Sequence, residues 1–132
     1  MAQMHVSKGS LAAEAIGGYE ARSAELLDYT VAFETVKAGF PPGGQEMFRG
    51  LPDDACQSPH WGYLFKGRFR APLTTGGEVV VSAGEAYYLP PGHRYEALED
   101  CETVEFSPTD ELNQTLEQIG KNVEAMQAEA QS

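Results

Sequence analysis

Three residues could together bind a metal ion through their side chains: Cys56, His60 and His93. His93 ends the segment 84–93, in which a short aromatic run meets the rigid corner Pro90-Pro91-Gly92. Cys56 and His60 share the parity by which alternate side chains of a strand reach one face. A mixture of sulfur and nitrogen donors favours zinc over iron or copper and disfavours magnesium and calcium.

Each of these residues also has a structural interpretation. His60 stands between Pro59 and Trp61, where it is equally suited to begin a strand or to form a hydrogen bond in the core. Cys56 is suited to a small buried hydrophobic position. His93 is suited to a structural corner in which its imidazole bonds a backbone carbonyl. The local pattern leaves both interpretations open.

Tyr95 and Glu105 are the candidates for catalytic chemistry. Tyr95 follows the corner and is either a further ligand or a core residue. Glu105 either faces solvent, which is the favoured orientation, or enters a cavity as a general base. Cys101 is less suited to be a nucleophile, because the neighbouring charges of Asp100 and Glu102 raise the pKa of a thiol.

Short strands are expected to position these side chains. Alternating residues bounded by Gly, Pro and Asp predict strands at about 27–36, 60–70, 78–81, 86–89, 95–98 and 103–106, with another short strand at 45–49. Residues 1–26 are predicted to form an arm with room for one loose turn of helix. The expected inward residues are Leu64, Val79 or Val80, Tyr88, Leu89, Val104 and Phe106, with Gly62 leaving space for a ligand beside His60.

A helix is predicted over about 108–127. Ser107 is a suitable N-cap, and Pro108 suits the first helical position. One stripe of this helix carries Leu112, Leu116, Ile119, Val123 and Met126. The stripe either covers the chain's own barrel or forms part of a dimer seam. The prediction is therefore a single all-β domain over 1–132, with a barrel core at about 27–107 and a C-terminal α-helix.

The segment around the corner resembles the cupin superfamily. Gly84, Pro90 and Gly92 match the second cupin motif, Gly-x5-Pro-x-Gly, and a weaker first motif closes at Gly67. The resemblance implies a jelly roll, also called a double-stranded β-helix, with metal ligands at the barrel mouth.

The sequence departs from the cupin motifs at the positions of the metal ligands. Asp54, Cys56 and His60 stand where the first motif has two histidines and a glutamate, and Tyr95 stands at the second-motif ligand position. Because the two motifs pair in cupins, the resemblance implies that Cys56 and His60 meet His93 at the barrel mouth. Tyr95, Asp54 or water would complete this site.

Three functions follow from this resemblance. The favoured one is a small metal-binding cupin that binds or acts on a small molecule; as an enzyme it would be an oxygenase, isomerase or cyclase, which the sequence does not distinguish. The others are a metal-free module that holds an apolar or anionic metabolite, and a structural dimeric subunit without catalysis.

The amino-acid composition disfavours some classes of binding partner. Twenty acidic and nine basic side chains give a net charge of −11, which disfavours nucleic acid and anionic membranes. The sequence shows neither a signal peptide nor a membrane span, so a cytoplasmic location is expected. A reducing compartment favours Cys56 and Cys101 as free thiols, although two cysteines also permit a disulfide. An aromatic stripe at Trp61, Tyr63 and Phe65 faces away from His60 and predicts a homodimer.

Overall fold

A computed structural model describes residues 3–41 and 44–131 of the chain, which fold into two antiparallel sheets and a C-terminal helix. The strands of this part are β1 (Glu14–Ile16), β2 (Tyr19–Leu26), β3 (Tyr29–Val36), β4 (His60–Lys66), β5 (Arg68–Pro72), β6 (Glu78–Ser82), β7 (Ala86–Leu89), β8 (Glu96–Ala97) and β9 (Cys101–Pro108). Helix α1 spans Thr109–Gln131, and short 3-10 helices lie at Lys8–Ser10, Gly44–Phe48 and Pro52–Asp54.

The larger sheet has the order β1-β2-β3-β9-β4-β7, and the smaller sheet has the order β6-β5-β8. The neighbours are antiparallel throughout, and β9 lies between β3 and β4 although it comes last in the chain. This arrangement of two packed antiparallel sheets is a jelly roll. The prediction of an all-β fold with a C-terminal helix is confirmed.

Strand β9 shows how alternation divides the large sheet into two faces. Cys101, Thr103 and Ser107 are buried on the inner face, and Glu105 lies on the same face. The outer face carries the intervening residues. In one row across four strands it presents Val31, Phe106, Trp61 and Tyr88.

The predicted inward residues were partly wrong. Leu64 and Leu89 are fully buried, as expected. Of the two valines offered, Val79 packs against the core and Val80 is exposed. Tyr88 and Phe106 are instead exposed, and Val104 shares the outer face with Phe106. Because side chains alternate along a strand, an error of one residue in register moves the whole set to the other face. In β7 it is therefore Tyr87, rather than Tyr88, that points inward.

The N-terminal segment and two local elements also differ from the prediction. The expected arm contains β1 and β2, and β2 pairs with β3 along its whole length. The expected strand at 45–49 is a 3-10 helix. Ser107 does not cap the helix; it is the buried penultimate residue of β9, and α1 begins at Thr109.

Helix α1 packs over its own barrel. Thr115 is buried and Ile119 packs against the core, which is centred on Phe69, Leu64 and Leu89. The Asn122 side chain donates hydrogen bonds to the carbonyls of Met47 (2.8 Å) and Arg49 (2.7 Å), tying the helix to the 3-10 segment. The first interpretation of the helical stripe, as a cover for its own barrel, is confirmed. No helix in the described ranges has the length and apolar character needed to cross a bilayer.

Gly67, between β4 and β5, is a test of this packing. Its φ is +92°, and a Cβ there would lie 2.2 Å from the carbonyl oxygen of Asp100. We expect Gly67→Ala to lower the free energy of unfolding by roughly 3 kcal/mol or more, because backbone strain and overpacking add. Gly77→Ala is the matched control: its φ is +77°, but a Cβ there has no neighbour within 4 Å. Urea denaturation should show a loss of only about 1–2 kcal/mol for the control; equal losses would contradict the packing at Gly67.

Candidate functional site

Cys56 and His93 are brought together by a backbone bridge. The Cys56 N–H donates to the His93 carbonyl at 2.8 Å, and the Gly92 N–H donates to the Cys56 carbonyl at 2.8 Å. Gly92 has a φ of +87°, and a Cβ there would lie 2.6 Å from Thr74 Oγ1. The glycine of the Pro-Pro-Gly corner is thus required both for its backbone conformation and for its close contact.

The three predicted ligands form a buried cluster. Cys56, His60 and His93 can each offer one ligand atom such that all of these atoms lie within 4.8 Å of one another. The Cys56 Sγ is 3.6 Å from His60 Nε2, and the two imidazole rings have centroids 5.0 Å apart. All three residues are less than a tenth exposed. The structure therefore places together the residues that the sequence selected.

Hydrogen bonds at Nδ1 orient both imidazoles. His93 Nδ1 is 2.7 Å from the Pro90 carbonyl, which can only accept, so Nδ1 carries the proton and Nε2 keeps its lone pair. His60 Nδ1 is 2.6 Å from Ser107 Oγ, and its Nε2 faces Cys56. The structural interpretation of His93, in which its imidazole donates a hydrogen bond to a backbone carbonyl, is therefore correct. The same hydrogen bond leaves Nε2 available as a ligand atom.

The donor set fits a transition metal. Zinc bonds of about 2.3 Å to sulfur and 2.0–2.1 Å to nitrogen, at a tetrahedral angle, imply a sulfur–nitrogen distance of about 3.5 Å. The observed Cys56–His60 distance is 3.6 Å. Burial raises the pKa of the Cys56 thiol to about 12. A bound cation would oppose that shift, because metal and proton compete for the same sulfur.

This cluster opens onto a cavity of about 460 Å³ inside the barrel. Its apolar wall comes from helix α1, from the inner strands and from three residues before β4, and consists mainly of Leu112, Leu116, Ile119, Val36, Leu89, Phe40, Met47 and Phe48. Its polar wall consists mainly of Cys56, His60, His93, Tyr19, Glu34, Tyr87, Tyr95, Thr103, Glu105 and Ser107. A volume of this size suits a small organic ligand.

Two carboxyl groups stand in the polar wall. Tyr19 donates a hydrogen bond to Glu34, and Tyr87 donates one to Glu105 Oε2 at 2.6 Å. Burial, and then the charge of Glu105, raise the pKa of Glu34. Burial alone would raise the pKa of Glu105 too, but His60 and the Tyr87 hydrogen bond lower it, and the net direction is down. Glu105 is therefore the charged member of the pair.

Of the remaining residues that the sequence suggested for the site, two line the cavity and one does not. Glu105 enters the cavity, with its Oε1 3.7 Å from His60 Nδ1, so the favoured solvent orientation was wrong. Tyr95 lines the cavity and stacks on Phe69 with centroids 5.0 Å apart. Asp54 is exposed and accepts the Gly50 N–H at 3.1 Å, away from the cluster.

Gly62 does not provide the ligand space that was expected of it. A Cβ at Gly62 would lie 2.5 Å from the Tyr87 ring, which already fills this position. The cysteine prediction, by contrast, is confirmed: Cys56 and Cys101 are both free thiols.

Sequence reasoning missed the polar residues that support the cluster. Ser107 was interpreted as a helix cap, and Glu34, Tyr19 and Tyr87 were not selected. The parity of β9 carried a usable signal, because Thr103, Glu105 and Ser107 share one face. Glu34 also stands on the inner face of β3, opposite Thr103.

Structure comparison places the barrel among known folds. A mutant of Bacillus subtilis oxalate decarboxylase OxdC matches with a TM-score of 0.57 and 19% identity, over 82% of this chain and 30% of that chain. KdgF from Halomonas sp. matches with a TM-score of 0.55 and 21% identity, over 77% of this chain and 90% of that chain. An RmlC-like cupin from Shewanella frigidimarina matches with a TM-score of 0.59 and 18% identity, over 81% and 93%. The fold is that of a cupin.

The cupin likeness rests on structure. No protein-family model matches the sequence, and no curated protein matches it. The chain spans under a third of the length of oxalate decarboxylase, which it matches as one part of a longer protein. The likeness to these structures is therefore a likeness of fold.

The pKa of His93 gives a test of the buried site in metal-free protein. Burial, and then His60, lower this pKa to about 4. The unfolded chain therefore binds a proton below about pH 6.5, whereas the folded chain does so only near pH 4. Stability should fall by roughly 3 kcal/mol more in the wild type than in His93→Gln as pH drops from 7 to 4.

Urea denaturation in the presence of EDTA, at several pH values, measures this difference. Other titrating groups are common to the wild type and His93→Gln, so the difference between their two curves isolates His93. Parallel curves would contradict a buried, neutral imidazole.

Proposed function

We propose that this cupin-fold chain is a zinc-binding protein that binds or acts on a small molecule in its barrel cavity. The observation that supports the proposal is the cluster of Cys56, His60 and His93, whose donor atoms lie within 4.8 Å of one another beside a cavity of about 460 Å³. A bound zinc ion would act as a Lewis acid that polarises a carbonyl group or lowers the pKa of bound water.

The chain's own residues would hold the metal and prepare the site. Ser107 and the Pro90 carbonyl fix the two imidazoles through Nδ1, so that Nε2 of each is the ligand atom. Glu105 lies beside His60 and supplies negative charge and a proton acceptor facing the cavity. The apolar wall excludes water from the rest of the cavity, which strengthens these electrostatic interactions.

The three-ligand set leaves a position for a small molecule. Tyr95 lines the cavity and stays a candidate catalytic residue, as does Glu105. Within this proposal the chain acts as one domain in the cytoplasm, where a reducing environment suits the two free thiols.

Metal content tests the site. Untagged protein should contain close to one equivalent of zinc, and His60→Ala or His93→Ala should remove most of it. His5→Ala is the matched control, because this exposed histidine lies outside the cluster. Affinity should fall in acid, since protons compete for both the thiolate and imidazole ligands.

Elemental analysis measures the metal, and circular dichroism checks that each variant keeps its fold. Well under one equivalent of any transition metal, after growth in supplemented medium, would contradict the metal site. The cavity would then stand as a metal-free binding pocket.

The outer face of the large sheet supports a homodimer. It carries a set of aromatic residues that are each 40–57% exposed: Tyr29, Trp61, Tyr63, Phe65, Tyr88 and Phe106. These rings contact one another, as in the Trp61–Tyr88 pair with centroids 5.1 Å apart. A contiguous apolar face of this kind is typical of an interaction surface. We take a second copy of the chain as its occupant.

Sedimentation distinguishes this face from the helix as the dimer seam. Phe65 is 57% exposed on the aromatic face, and Leu116 is 48% exposed on α1. Phe65→Glu should convert the dimer to a 14.3 kDa monomer, because it buries a charge in the seam. Leu116→Glu should leave the dimer intact. A wild-type monomer at tens of micromolar, or the reverse pattern in the two variants, would overturn the assignment.

A further inference from the structure

The cavity wall is unusual in its charge. Among the described residues that line it there are the exposed Glu14 and Glu25, the less exposed Glu34 and Glu105, and neither lysine nor arginine. Arg22, on β2, is directed to Glu20 and the Leu11 carbonyl. A carboxylate or phosphate entering this cavity would lose its hydration without gaining a cationic side chain outside the histidine cluster.

The inner end of the cavity is also rich in hydrogen-bond acceptors. Glu105 accepts hydrogen bonds from Tyr87, at Oε2, and from the Glu34 carboxyl, and its Oε1 lies 3.7 Å from His60 Nδ1 in the cavity wall. His93 is 3% exposed, and its Nε2 has no hydrogen-bond partner among the described residues, since its one bond is made by Nδ1. In the metal-free chain this lone pair is a second acceptor beside the carboxylate, whereas in the zinc-bound chain it is a metal ligand and the carboxylate alone faces the small molecule. In both forms the Glu105 carboxylate is matched by a ligand that brings N–H or O–H donors.

The apolar part of the lining selects the rest of the ligand. It includes Leu112, Leu116 and Ile119 of α1, together with Phe40, Met47 and Phe48. An apolar body against this wall and a donor group at the glutamate end would match both surfaces. A protonated amine offers three donors and a charge opposite to that of Glu105.

We propose that the cavity selects small amines with an apolar body, binding the ammonium group at Glu105, and discriminates against carboxylates of the same shape. This inference rests on the proposed function, because it specifies the small molecule that the cavity takes. It replaces the anionic metabolite that the sequence had suggested for a metal-free module. The Glu34 carboxyl and its Tyr19 partner form the neighbouring part of the same polar wall.

Three probes of one skeleton test the selection: benzylamine, benzyl alcohol and benzoate carry charges of +1, 0 and −1 at neutral pH. Thermal shift and calorimetry on the full chain, both as purified and after EDTA treatment, measure their binding. We expect benzylamine to bind at least about tenfold more tightly than benzoate, a difference of about 1.4 kcal/mol. The EDTA arm matters because a bound metal would itself attract benzoate.

Two variants locate the charge that is responsible. Glu105→Gln should weaken benzylamine binding about tenfold or more and reduce the preference over benzoate. Glu102→Gln is the matched control, because it changes the net charge equally from an exposed position on the same strand, and it should bind benzylamine as the wild type does. If Glu105→Gln fails to fold, the comparison of benzylamine with benzoate on the wild-type chain still tests whether the cavity prefers amines.

The outcomes separate this inference from the metal proposal. Benzoate binding equal to or tighter than benzylamine in the EDTA-treated protein, unchanged benzylamine binding in folded Glu105→Gln, or no binding of any probe would overturn the amine selection. If zinc is present in these cases, the metal site still stands. Benzylamine binding that depends on Glu105 in a protein without metal would support the selection while the metal proposal fails.

Discussion

The backbone bridge between Cys56 and the corner before His93 is the interaction on which the candidate site depends. Its hydrogen bonds join two loops that are distant in sequence, and Gly92 provides the positive φ of the corner and the space that Thr74 occupies. His60 then follows Cys56 at the start of β4 and reaches the same cluster. The cluster is thus fixed by main-chain geometry, which is why three side chains from different segments share one position with little exposure to solvent.

The sequence was most informative where backbone chemistry restricts the chain. The Pro-Pro-Gly corner, the strand at residues 86–89 and the C-terminal helix were all predictable, because proline, glycine and helical periodicity act locally. The meeting of Cys56, His60 and His93 was predictable only through the cupin resemblance, which pairs two motifs that no local rule connects. Parity alone could not have joined His93 to the other two residues.

The rest of the site depends on contacts between distant strands. Strand β9 carries apolar side chains on its outer face and a carboxylate on its inner face, which reverses the usual rule that apolar residues point inward. Glu105 and Phe106 were therefore assigned to the wrong faces. Strand β2 was missed because its partner β3, rather than an alternating pattern of its own, holds it extended. The position of Glu34 on the inner face follows only from the pairing of β3 with β9.

The aromatic row on the outer face also determines what optical spectroscopy can detect. Trp61 is the chain's single tryptophan, and it stands in that row between Phe106 and Tyr88. It follows His60 directly in sequence, yet its indole ring lies on the opposite side of the sheet from the imidazole. Its emission is therefore sensitive to solvent at the outer surface and insulated from the barrel interior. Tryptophan emission, excited selectively, would follow self-association of the chain rather than occupancy of the cavity, which Tyr19, Tyr87 and Tyr95 line.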